Sequence, residues 1–338
     1  MQHYSVLELF AGAGGLALGL EKAGFKSCLL NEFNKDACAT LRKNRPDWNV
    51  VEGDVSTVDF TEFHNKVDVL AGGFPCQSFS HAGRRLGFED VRGTLFYEFA
   101  RAIKETNPKF ILAENVRGLL DHDGGNTIKT ITDVIDELGY VLIKPTILNA
   151  VMHGVPQRRE RLILVGVRKD LAEATEFQFP EPLAEVLTLR DALKGGKLYD
   201  HDVPQASGTT YPQRKTEIMN MVPPGKNWRI LPEDVQKEYM KKSLNSGGGR
   251  TGFARRLSWD EPSLTLTCSP AQTQTERCHP DETRPLTVRE YARIQTFPDE
   301  WEFEGSMSST YKQIGNAVPV NLGYAIGRSL QNALALIG

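Results

Sequence analysis

The sequence of 338 residues lacks the features that define membrane proteins and disulfide-rich proteins. No stretch approaches the ~20 apolar residues that a membrane-spanning helix needs. The five cysteines form no CxxC pair, which favours a reducing, cytoplasmic compartment over a disulfide framework. Met1–Ser5 leads directly into the strand-like run Val6–Phe10, so no signal peptide is expected. Cys268 and the pair Cys278–His279 make up at most half a zinc site, so no metal is predicted.

A large net charge is also missing, but the charges are unevenly distributed. The formal net charge is −3, and the segment from Ser207 to Asp260 carries +5 while the rest of the chain carries −8. A basic segment on an acidic body fits nucleic-acid binding. A solvated face of lysines is the alternative interpretation. The cations of this basic segment are Arg214, Lys215, Lys226, Arg229, Lys237, Lys241, Lys242, Arg250, Arg255 and Arg256.

Apolar runs of strand length alternate with helix-periodic segments up to about residue 170. This alternation predicts an α/β protein with a doubly wound, mostly parallel sheet that is covered by helices on both faces. The predicted strands are Val6–Phe10, Ser27–Asn31, Asn49–Glu52, Val67–Ala71, Phe110–Ala113, Val141–Leu148 and Arg161–Val167. The predicted helices are Leu16–Ala23, Lys35–Asn44, Thr94–Thr106, Thr127–Leu138 and Leu322–Ile337.

Three successive strand ends carry residues suited to a nucleoside ligand. After the first predicted strand, a glycine-rich turn opens a helix, where backbone can approach a ligand closely; it comprises Phe10, Ala11, Gly12, Ala13, Gly14 and Gly15. Glu32 ends the second strand, where a carboxylate can accept from both ribose hydroxyls. Asp54 follows the third strand and can accept from an adenine amino group. The turn departs from GxGxxG because Ala17 occupies the third glycine position, which weakens a dinucleotide interpretation. Each acid alone could instead cap a helix.

Cys76 stands where a nucleophile is expected rather than a structural thiol. It follows the apolar run Val67–Ala71, Gly72–Gly73 and Pro75, which places it beyond the carboxyl end of a strand. Ligands of open α/β sheets bind at that edge. Structural cysteines usually lie among aliphatic neighbours instead.

The ordered motifs of the whole chain resemble those of the DNA (cytosine-5)-methyltransferase family of the bacterial restriction–modification type. They are Phe10–Gly15, Asn31–Glu32, Gly53–Asp54, Gly73–Gln77, Glu114–Val116, Gln157–Arg161, Arg284–Arg293 and Gln313–Pro319. The resemblance implies S-adenosylmethionine as methyl donor and a cytosine flipped out of double-stranded DNA as acceptor. It also implies a restriction endonuclease that acts on the same sequence without direct contact, and we expect a monomer.

The same resemblance implies four catalytic residues. Cys76 would add as a thiolate to cytosine C6, which turns C5 into a nucleophile. Glu114 would face the ring edge and assist at N3. Arg159 and Arg161 would steady the cytosine carbonyl and neighbouring anions through their forked donors. Pro75 and Asn316 are expected to join the glycine-rich turn, Glu32 and Asp54 in binding the donor.

The predicted DNA contacts fall into two groups. The segment Ser78–Gly93 is predicted to form a lid that closes over an extruded base. Its predicted DNA contacts are Ser80, Arg84, Arg85 and Arg92. The second group contains Gln157, Lys241, Lys242, Arg250 and Arg256. The loops Ser246–Gly252 and Ser269–Cys278 are predicted to read bases.

The motif order predicts a discontinuous catalytic domain. Residues 1–184 would bind cofactor and carry the chemistry, and residues 185–283 would form a target-recognition domain. Residues 284–338 would form a hinge and return to the catalytic domain, beginning the return at Gln313–Pro319.

Four other functions are alternatives to this one. A tRNA cytosine-5 methyltransferase is the nearest alternative, although that family carries a different peptide after its catalytic Pro–Cys. An NAD-dependent dehydrogenase would share the glycine-rich turn but would not account for Pro75–Gln77 together with Glu114–Val116. An amino-methylating enzyme would need an Asp/Asn/Ser-Pro-Pro-aromatic loop, which the sequence lacks. A catalytically inactive DNA-binding paralogue would be expected to lose Cys76 or Glu114, and both are present.

Overall fold

The computed structural model describes residues 3–75, 94–245 and 250–337. The chain divides into two compact units. The sheet unit comprises Met1–Asn149, Glu160–Pro182 and Val320–Gly338, and the second unit comprises Ala150–Arg159 and Leu183–Pro319. Residues 284–319 thus belong to the second unit, whereas the sequence placed them in a hinge and return. The chain rejoins the sheet unit at Val320, just after the motif Gln313–Pro319.

The sheet unit is built on an eight-stranded sheet with the order β3-β2-β1-β4-β5-β9-β6, and β7 also pairs with β9. Its strands are β1 Tyr4–Leu9, β2 Phe25–Glu32, β3 Val50–Glu52, β4 Val69–Gly72, β5 Phe110–Val116, β6 Tyr140–Leu142, β7 Thr146–Asn149 and β9 Glu160–Arg168. The pairs among β1 to β5 are parallel, so their carboxyl ends meet at one edge. The predicted α/β class with a mostly parallel sheet is confirmed.

Four helices of the sheet unit connect successive strands: α1 Gly15–Lys22, α2 Lys35–Asn44, α3 Leu95–Thr106 and α4 Asn126–Glu137. A fifth, α10 Val320–Ala335, is the last element of the chain. The central strands are almost continuously apolar, as expected where both faces of a parallel sheet are buried. Leu7, Leu9 and Leu70 belong to one core cluster with Phe96 and Phe99 of α3. This buried layer sets the strand ends on which the polar residues stand.

Two features of the sheet differ from the sequence prediction. The expected strand Val141–Leu148 is two strands, β6 and β7, separated by a break that contains Pro145. Proline has no N–H to donate to a ladder, which explains the break. β9 runs antiparallel to β5, β6 and β7, an orientation that apolar pattern alone does not indicate.

α1 and α10 approach each other closely in the sheet unit because both carry glycine at the contact. A Cβ at Gly19 would lie 2.5 Å from the Val320 carbonyl oxygen and 2.7 Å from backbone atoms of Gly323 and Tyr324. A Cβ at Gly323 would lie 3.3 Å from the Leu16 carbonyl oxygen. The C-terminal helix therefore docks through backbone-to-backbone contact.

The second unit consists of short helices, two short strands and long loops. Its helices are α5 Leu189–Leu193, α6 Gln213–Asn220, α7 Glu233–Met240, α8 Val288–Ile294 and α9 Met307–Asn316. β8 Gln157–Arg158 pairs in parallel with β10 Ser263–Leu264. A separate core cluster joins α6 and α7 to the 253–278 region and contains Ile218, Met219, Trp228, Val235 and Phe253. Within the ranges that the structure describes, no helix has the length and apolarity to cross a membrane.

Candidate active site

The glycine-rich turn between β1 and α1 has left-handed backbone at three residues. Phe10, Gly12 and Gly14 have φ of 57°, 56° and 83°, a region that glycine adopts without steric cost. The Glu32 carboxylate holds this turn, since its Oε2 accepts from the Gly12 N–H at 2.7 Å. Its Oε1 accepts from the Asn34 N–H at 2.7 Å. A carboxylate oxygen has two acceptor sites, so Glu32 retains capacity for further donors.

The end of β3 lies beside the end of β2. Asn31 Nδ2 donates to the Gly53 carbonyl at 3.2 Å, and the Gly53 N–H donates to the Glu32 carbonyl at 3.0 Å. Asp54 follows directly and is exposed at this edge. Hydrogen bonds from Ser56 lower the pKa of the Asp54 carboxyl. The two acids predicted from successive strand ends therefore stand on neighbouring strands at one edge of the sheet.

Phe33 is a candidate site residue that is absent from the motifs predicted above. It directly follows Glu32 at the end of β2, and its side chain is 76% exposed. The exposed ring offers a flat apolar face beside the polar strand ends. The signal in the sequence is a phenylalanine where the strand gives way to a turn.

Glu114 and Arg161 form an ion pair in the sheet unit. Arg161 Nε lies 2.5 Å from Glu114 Oε1, and the two side chains are only 12% and 13% exposed. They come from neighbouring strands, β9 and β5. A Cβ at Gly73 would lie 3.1 Å from Glu114 Oε2, so glycine at this position leaves room for the carboxylate. The motifs around Gly73, Glu114 and Arg161, distant in sequence, thus meet in space.

Asn115 ties the end of β5 to the segment that follows β4. Its Nδ2 donates to the Phe74 carbonyl at 2.7 Å, and its Oδ1 accepts from the Val116 N–H at 2.9 Å. Asn115 is 4% exposed, and its bond to the Phe74 carbonyl is buried. This bond fixes the backbone two residues before Cys76, whose own position lies outside the described residues. The predicted catalytic residue Cys76 and the predicted DNA contacts Ser80, Arg84, Arg85 and Arg92 are in the same undescribed range.

Arg159 has different partners from Arg161. It is 1% exposed in the second unit, and Nη1 donates to the Leu266 carbonyl at 3.1 Å. Nη2 donates to the carbonyls of Gly315 and Ala317, at 2.8 and 3.1 Å. The guanidinium therefore joins three backbone segments of that unit.

Gln157 and Arg256 were predicted to contact DNA, but the structure places both in the interior of the second unit. Gln157 is 0% exposed, donates to Gln295 Oε1 at 2.8 Å and accepts from the Leu266 N–H at 2.8 Å. Arg256 is 4% exposed, and its guanidinium donates to the acceptors Val222 O, Met219 O, His279 O, Pro280 O and Thr283 Oγ1. With donors directed at internal acceptors, these side chains connect loops of the unit and do not face a phosphate. Residue type alone does not reveal such burial.

Part of the positive charge of the basic segment is paired within the second unit. Four of its cations are in ion pairs, namely Lys215–Glu276, Arg214–Glu238, Lys237–Glu233 and Arg255–Glu261. The Arg250 guanidinium lies 5.5 Å from the Trp228 ring centroid and donates to the Ser243 carbonyl at 3.0 Å. Lys241 and Lys242 are exposed just after α7. These two lysines are therefore the better placed of the predicted phosphate contacts.

Asn316, a predicted donor-binding residue, is exposed as the last residue of α9. Its Oδ1 accepts from Cys268 Sγ at 3.3 Å. A Cβ at the preceding Gly315 would lie 2.3 Å from the Thr267 carbonyl oxygen, so α9 ends in close backbone contact with that loop. Pro75, the last described residue before Cys76, is exposed as well.

The fold and the polar strand ends define the class of protein as a methyltransferase. A solved E. coli structure, described as a DNA modification methyltransferase encoded within a prophage, matches with a TM-score of 0.70 and 26% identity. The match covers 98% of this chain and 99% of that one. The chain belongs to the C-5 cytosine-specific DNA methylase family, whose model matches residues 4–332.

Curated relatives agree with this family. The Type II methyltransferase M.Eco47II of Escherichia coli is 70% identical over 331 residues, which cover 98% of this chain and 79% of the relative. The Type II methyltransferase M.PspPI of Psychrobacter sp. (strain TA137) is 64% identical over 327 residues, covering 97% and 79%. The resemblance stated from the motifs is confirmed, and the chain is a DNA (cytosine-5)-methyltransferase.

Proposed function

We propose that the chain methylates C5 of a cytosine extruded from a specific duplex DNA sequence, with Cys76 as nucleophile and Glu114 assisting at N3. One observation supports this most directly. Glu114 and Asn115, adjacent in β5, contact the segment that precedes Cys76, through Gly73 and the Phe74 carbonyl. Nucleophile and acid therefore come from neighbouring strands at the edge of the sheet where ligands bind.

The strand ends of the sheet unit fit S-adenosylmethionine. A Cβ at Gly12 would meet nothing within 4 Å, so the turn borders open space. Glu32 has acceptor capacity for ribose hydroxyls, Phe33 offers a ring for stacking, and Asp54 is ionised and exposed. Pro75 and Asn316 complete the proposed donor-binding set. S-adenosylmethionine, when bound, supplies an electrophilic methyl group.

The chain's residues would make cytosine C5 reactive toward that methyl group. The Cys76 thiolate forms a bond to C6, and the electron pair of the C5–C6 double bond moves toward C5. A proton from Glu114 at N3 stabilises the resulting anion. After C5 has gained the methyl group, its proton passes to water and the Cys76–C6 bond breaks, which restores the double bond and the thiolate. The N3 proton returns to Glu114.

The position of Arg161 suits an orienting role in this scheme. Its guanidinium holds the Glu114 carboxyl group by one oxygen and leaves the other near Gly73. Arg159 would contribute by holding the backbone around Gly315 and Ala317, next to Asn316.

We assign sequence recognition to residues 185–283 and phosphate contact to Lys241, Lys242 and Arg250. Phosphate contacts set affinity, whereas base contacts set sequence choice. The similar proteins named above are Type II methyltransferases, and by analogy the methylation would protect DNA from a restriction endonuclease that acts on the same sequence. We further propose that the enzyme acts as a monomer in the cytoplasm.

Bisulfite sequencing of plasmid DNA from cells that express this chain tests the function. We expect methylated cytosines that share one sequence context and disappear with Cys76→Ser. A duplex with 5-fluorocytosine at the target should trap the wild-type enzyme covalently, because fluorine blocks the loss of the C5 proton. Cys28→Ser, at a half-buried cysteine in the middle of β2 and outside the proposed site, is the matched control and should methylate normally.

Bisulfite sequencing of both plasmid DNA and tRNA from these cells separates the DNA-directed function from the tRNA-directed alternative. Methylated cytosines in tRNA but none in DNA would support the tRNA-directed alternative. Normal turnover by Cys76→Ser would exclude the covalent mechanism.

A further inference from the structure

The second unit contains a buried charged network that joins the two predicted base-reading loops. Glu276 is 0% exposed, and its carboxylate forms an ion pair with Lys215 of α6. Its Oε2 accepts from the Tyr239 hydroxyl at 2.5 Å and from the Ala254 N–H at 2.5 Å. One carboxylate thus connects α6, α7 and the segment 250–254.

Lys215 extends the network to the other loop. Its Nζ donates to the Ala271 carbonyl at 2.7 Å and lies 5.2 Å from the Tyr211 ring centroid. Ala271 lies in the loop Ser269–Cys278, and so does Glu276 itself. The loop Ser269–Cys278 and the segment 250–254, which includes the end of the other loop, are therefore anchored to the same Lys215–Glu276 pair.

The backbone between the two loops is also closely fitted. The Glu276 N–H donates to the Gly252 carbonyl at 2.9 Å, and a Cβ at Gly252 would lie 2.3 Å from the Gln274 carbonyl oxygen. Ala254 has φ of 42°, an unfavourable value for a residue with a Cβ. The Glu276 carboxylate accepts from the N–H of that strained residue and so stabilises its conformation.

Burying the charges of this network costs desolvation free energy. Burial raises the pKa of the Glu276 carboxyl, although Lys215 and Tyr239 oppose the rise. Buried ion pairs often add little stability compared with apolar side chains of similar size, but they require a defined arrangement of their partners. A role in fixing geometry accounts for a buried carboxylate with these partners better than a role in stability alone.

We propose that Glu276 is a positioning residue for base recognition, which fixes the segments 250–254 and 269–278 relative to each other through Lys215, Tyr239 and Ala254. The proposal rests on the proposed function, in which these loops read DNA bases. Small displacements of a base-reading loop remove bonds that distinguish bases, while phosphate contacts elsewhere persist.

Glu276→Gln tests the proposal because it removes the charge and keeps the size. The methylated context is first read by bisulfite sequencing of the wild type. Duplexes with this site and with single base-pair changes then give the ratio of kcat/KM for cognate over altered DNA. We expect Glu276→Gln to lower this ratio at least about tenfold, the equivalent of one lost base contact. S-adenosylmethionine affinity should stay at the wild-type value.

Two controls separate positioning from general destabilisation. Glu238→Gln breaks the exposed pair with Arg214 in the same unit and should leave the ratio unchanged. Ile218→Val trims the core of that unit, where Ile218 is 3% exposed, and should lower the melting temperature without lowering the ratio. Tyr239→Phe removes one bond to the same carboxylate and should lower the ratio in the same direction, to a smaller extent.

The outcomes decide between the possibilities. A folded Glu276→Gln enzyme with the wild-type ratio, or with equal losses on cognate and altered DNA, would overturn the positioning role. If Glu276→Gln fails to fold, Tyr239→Phe decides: a wild-type ratio overturns the role and a reduced one supports it. A wild type that methylates no DNA context would refute the proposed function itself, and this inference with it.

Discussion

The side-chain amide of Asn115 donates a hydrogen bond to the Phe74 backbone carbonyl at 2.7 Å, in a buried environment. The bond joins the residue after Glu114 to the backbone two residues before Cys76. The backbone that leads to the proposed nucleophile is therefore tied to the strand of the proposed acid by an amide that itself takes no part in the chemistry.

Asn115→Asp should lower kcat strongly while leaving S-adenosylmethionine affinity close to wild type. The carboxylate is isosteric but cannot donate, so the Phe74 carbonyl loses this partner at a cost of about 1–3 kcal/mol. Single-turnover kinetics and calorimetric titration of the cofactor measure the two effects. Asn126→Ala, at the exposed start of α4, is the control. Equal kcat in Asn115→Asp and wild type would mean that this bond does not position the nucleophile.

Glu32→Gln and Asp54→Ala should each weaken S-adenosylmethionine binding. A lost hydrogen bond to a charged acceptor corresponds to about 1–3 kcal/mol, or a roughly 5- to 150-fold higher Kd. Calorimetry measures the Kd directly. Glu52→Gln is the matched control, because Glu52 is exposed at the end of β3 and pairs with Arg42. If Asp54→Ala and Glu52→Gln bound the donor equally well, Asp54 would lie outside the donor site.

Lys241→Ala combined with Lys242→Ala should weaken binding to all DNA sequences and flatten its salt dependence. Two lost phosphate contacts reduce the slope of log K against log salt concentration by about two. The double variant Lys43→Ala/Lys129→Ala, at exposed lysines outside the basic segment, should change neither. Binding assays at several salt concentrations, on cognate and unrelated duplexes, test this. A change in the methylated sequence context instead would assign the two lysines to base readout.

Gly19→Ala should destabilise the sheet unit. The added Cβ would lie 2.5 Å from the Val320 carbonyl oxygen, and that contact is with backbone rather than a flexible side chain. Overpacking of this kind costs about 1–3 kcal/mol. Gly118→Ala adds a Cβ with nothing within 4 Å and is the matched control. Urea unfolding should show a lower midpoint for Gly19→Ala alone; similar midpoints would show that α1 and α10 can separate at little cost.

Stability should fall as pH rises through the range in which Glu8 would ionise. Glu8 is 3% exposed on β1, and burial, with a smaller effect of Glu32, raises the pKa of its carboxyl from 4.5 to about 8. Between these pKa values, the folded state therefore binds more protons than the unfolded state. The free energy of unfolding declines by up to about 1.4 kcal/mol per pH unit as the pH rises through this range. The decline ends above the folded-state pKa.

Glu8→Gln should flatten this dependence, because glutamine does not titrate. Between pH 5 and pH 8, the urea midpoint should decline less steeply in Glu8→Gln than in wild type. Glu62→Gln, at an exposed glutamate, should keep the wild-type profile. Parallel profiles for Glu8→Gln and wild type would contradict a raised pKa of Glu8.

The sheet class and the polar residues at its strand ends could be predicted from the order of residues along the chain. Apolar runs such as Val67–Ala71 must be buried, and runs that alternate with helices form parallel strands whose carboxyl ends share one edge. Glu32 and Asp54 follow such runs directly, so their placement required only this local rule. Their order along the chain matched a family motif by motif, which predicted the chemistry as well.

Tertiary structure alone decided which cations face outward and how the last strands pair. Gln157 meets Gln295 at a separation of 138 residues, and Arg159 meets Gly315 at a separation of 156. Neither partner can be read from local periodicity, because burial of a polar side chain depends on acceptors that long-range folding brings to it. For the same reason, Arg256 is buried whereas Lys241 and Lys242 are exposed, although all three belong to one basic segment.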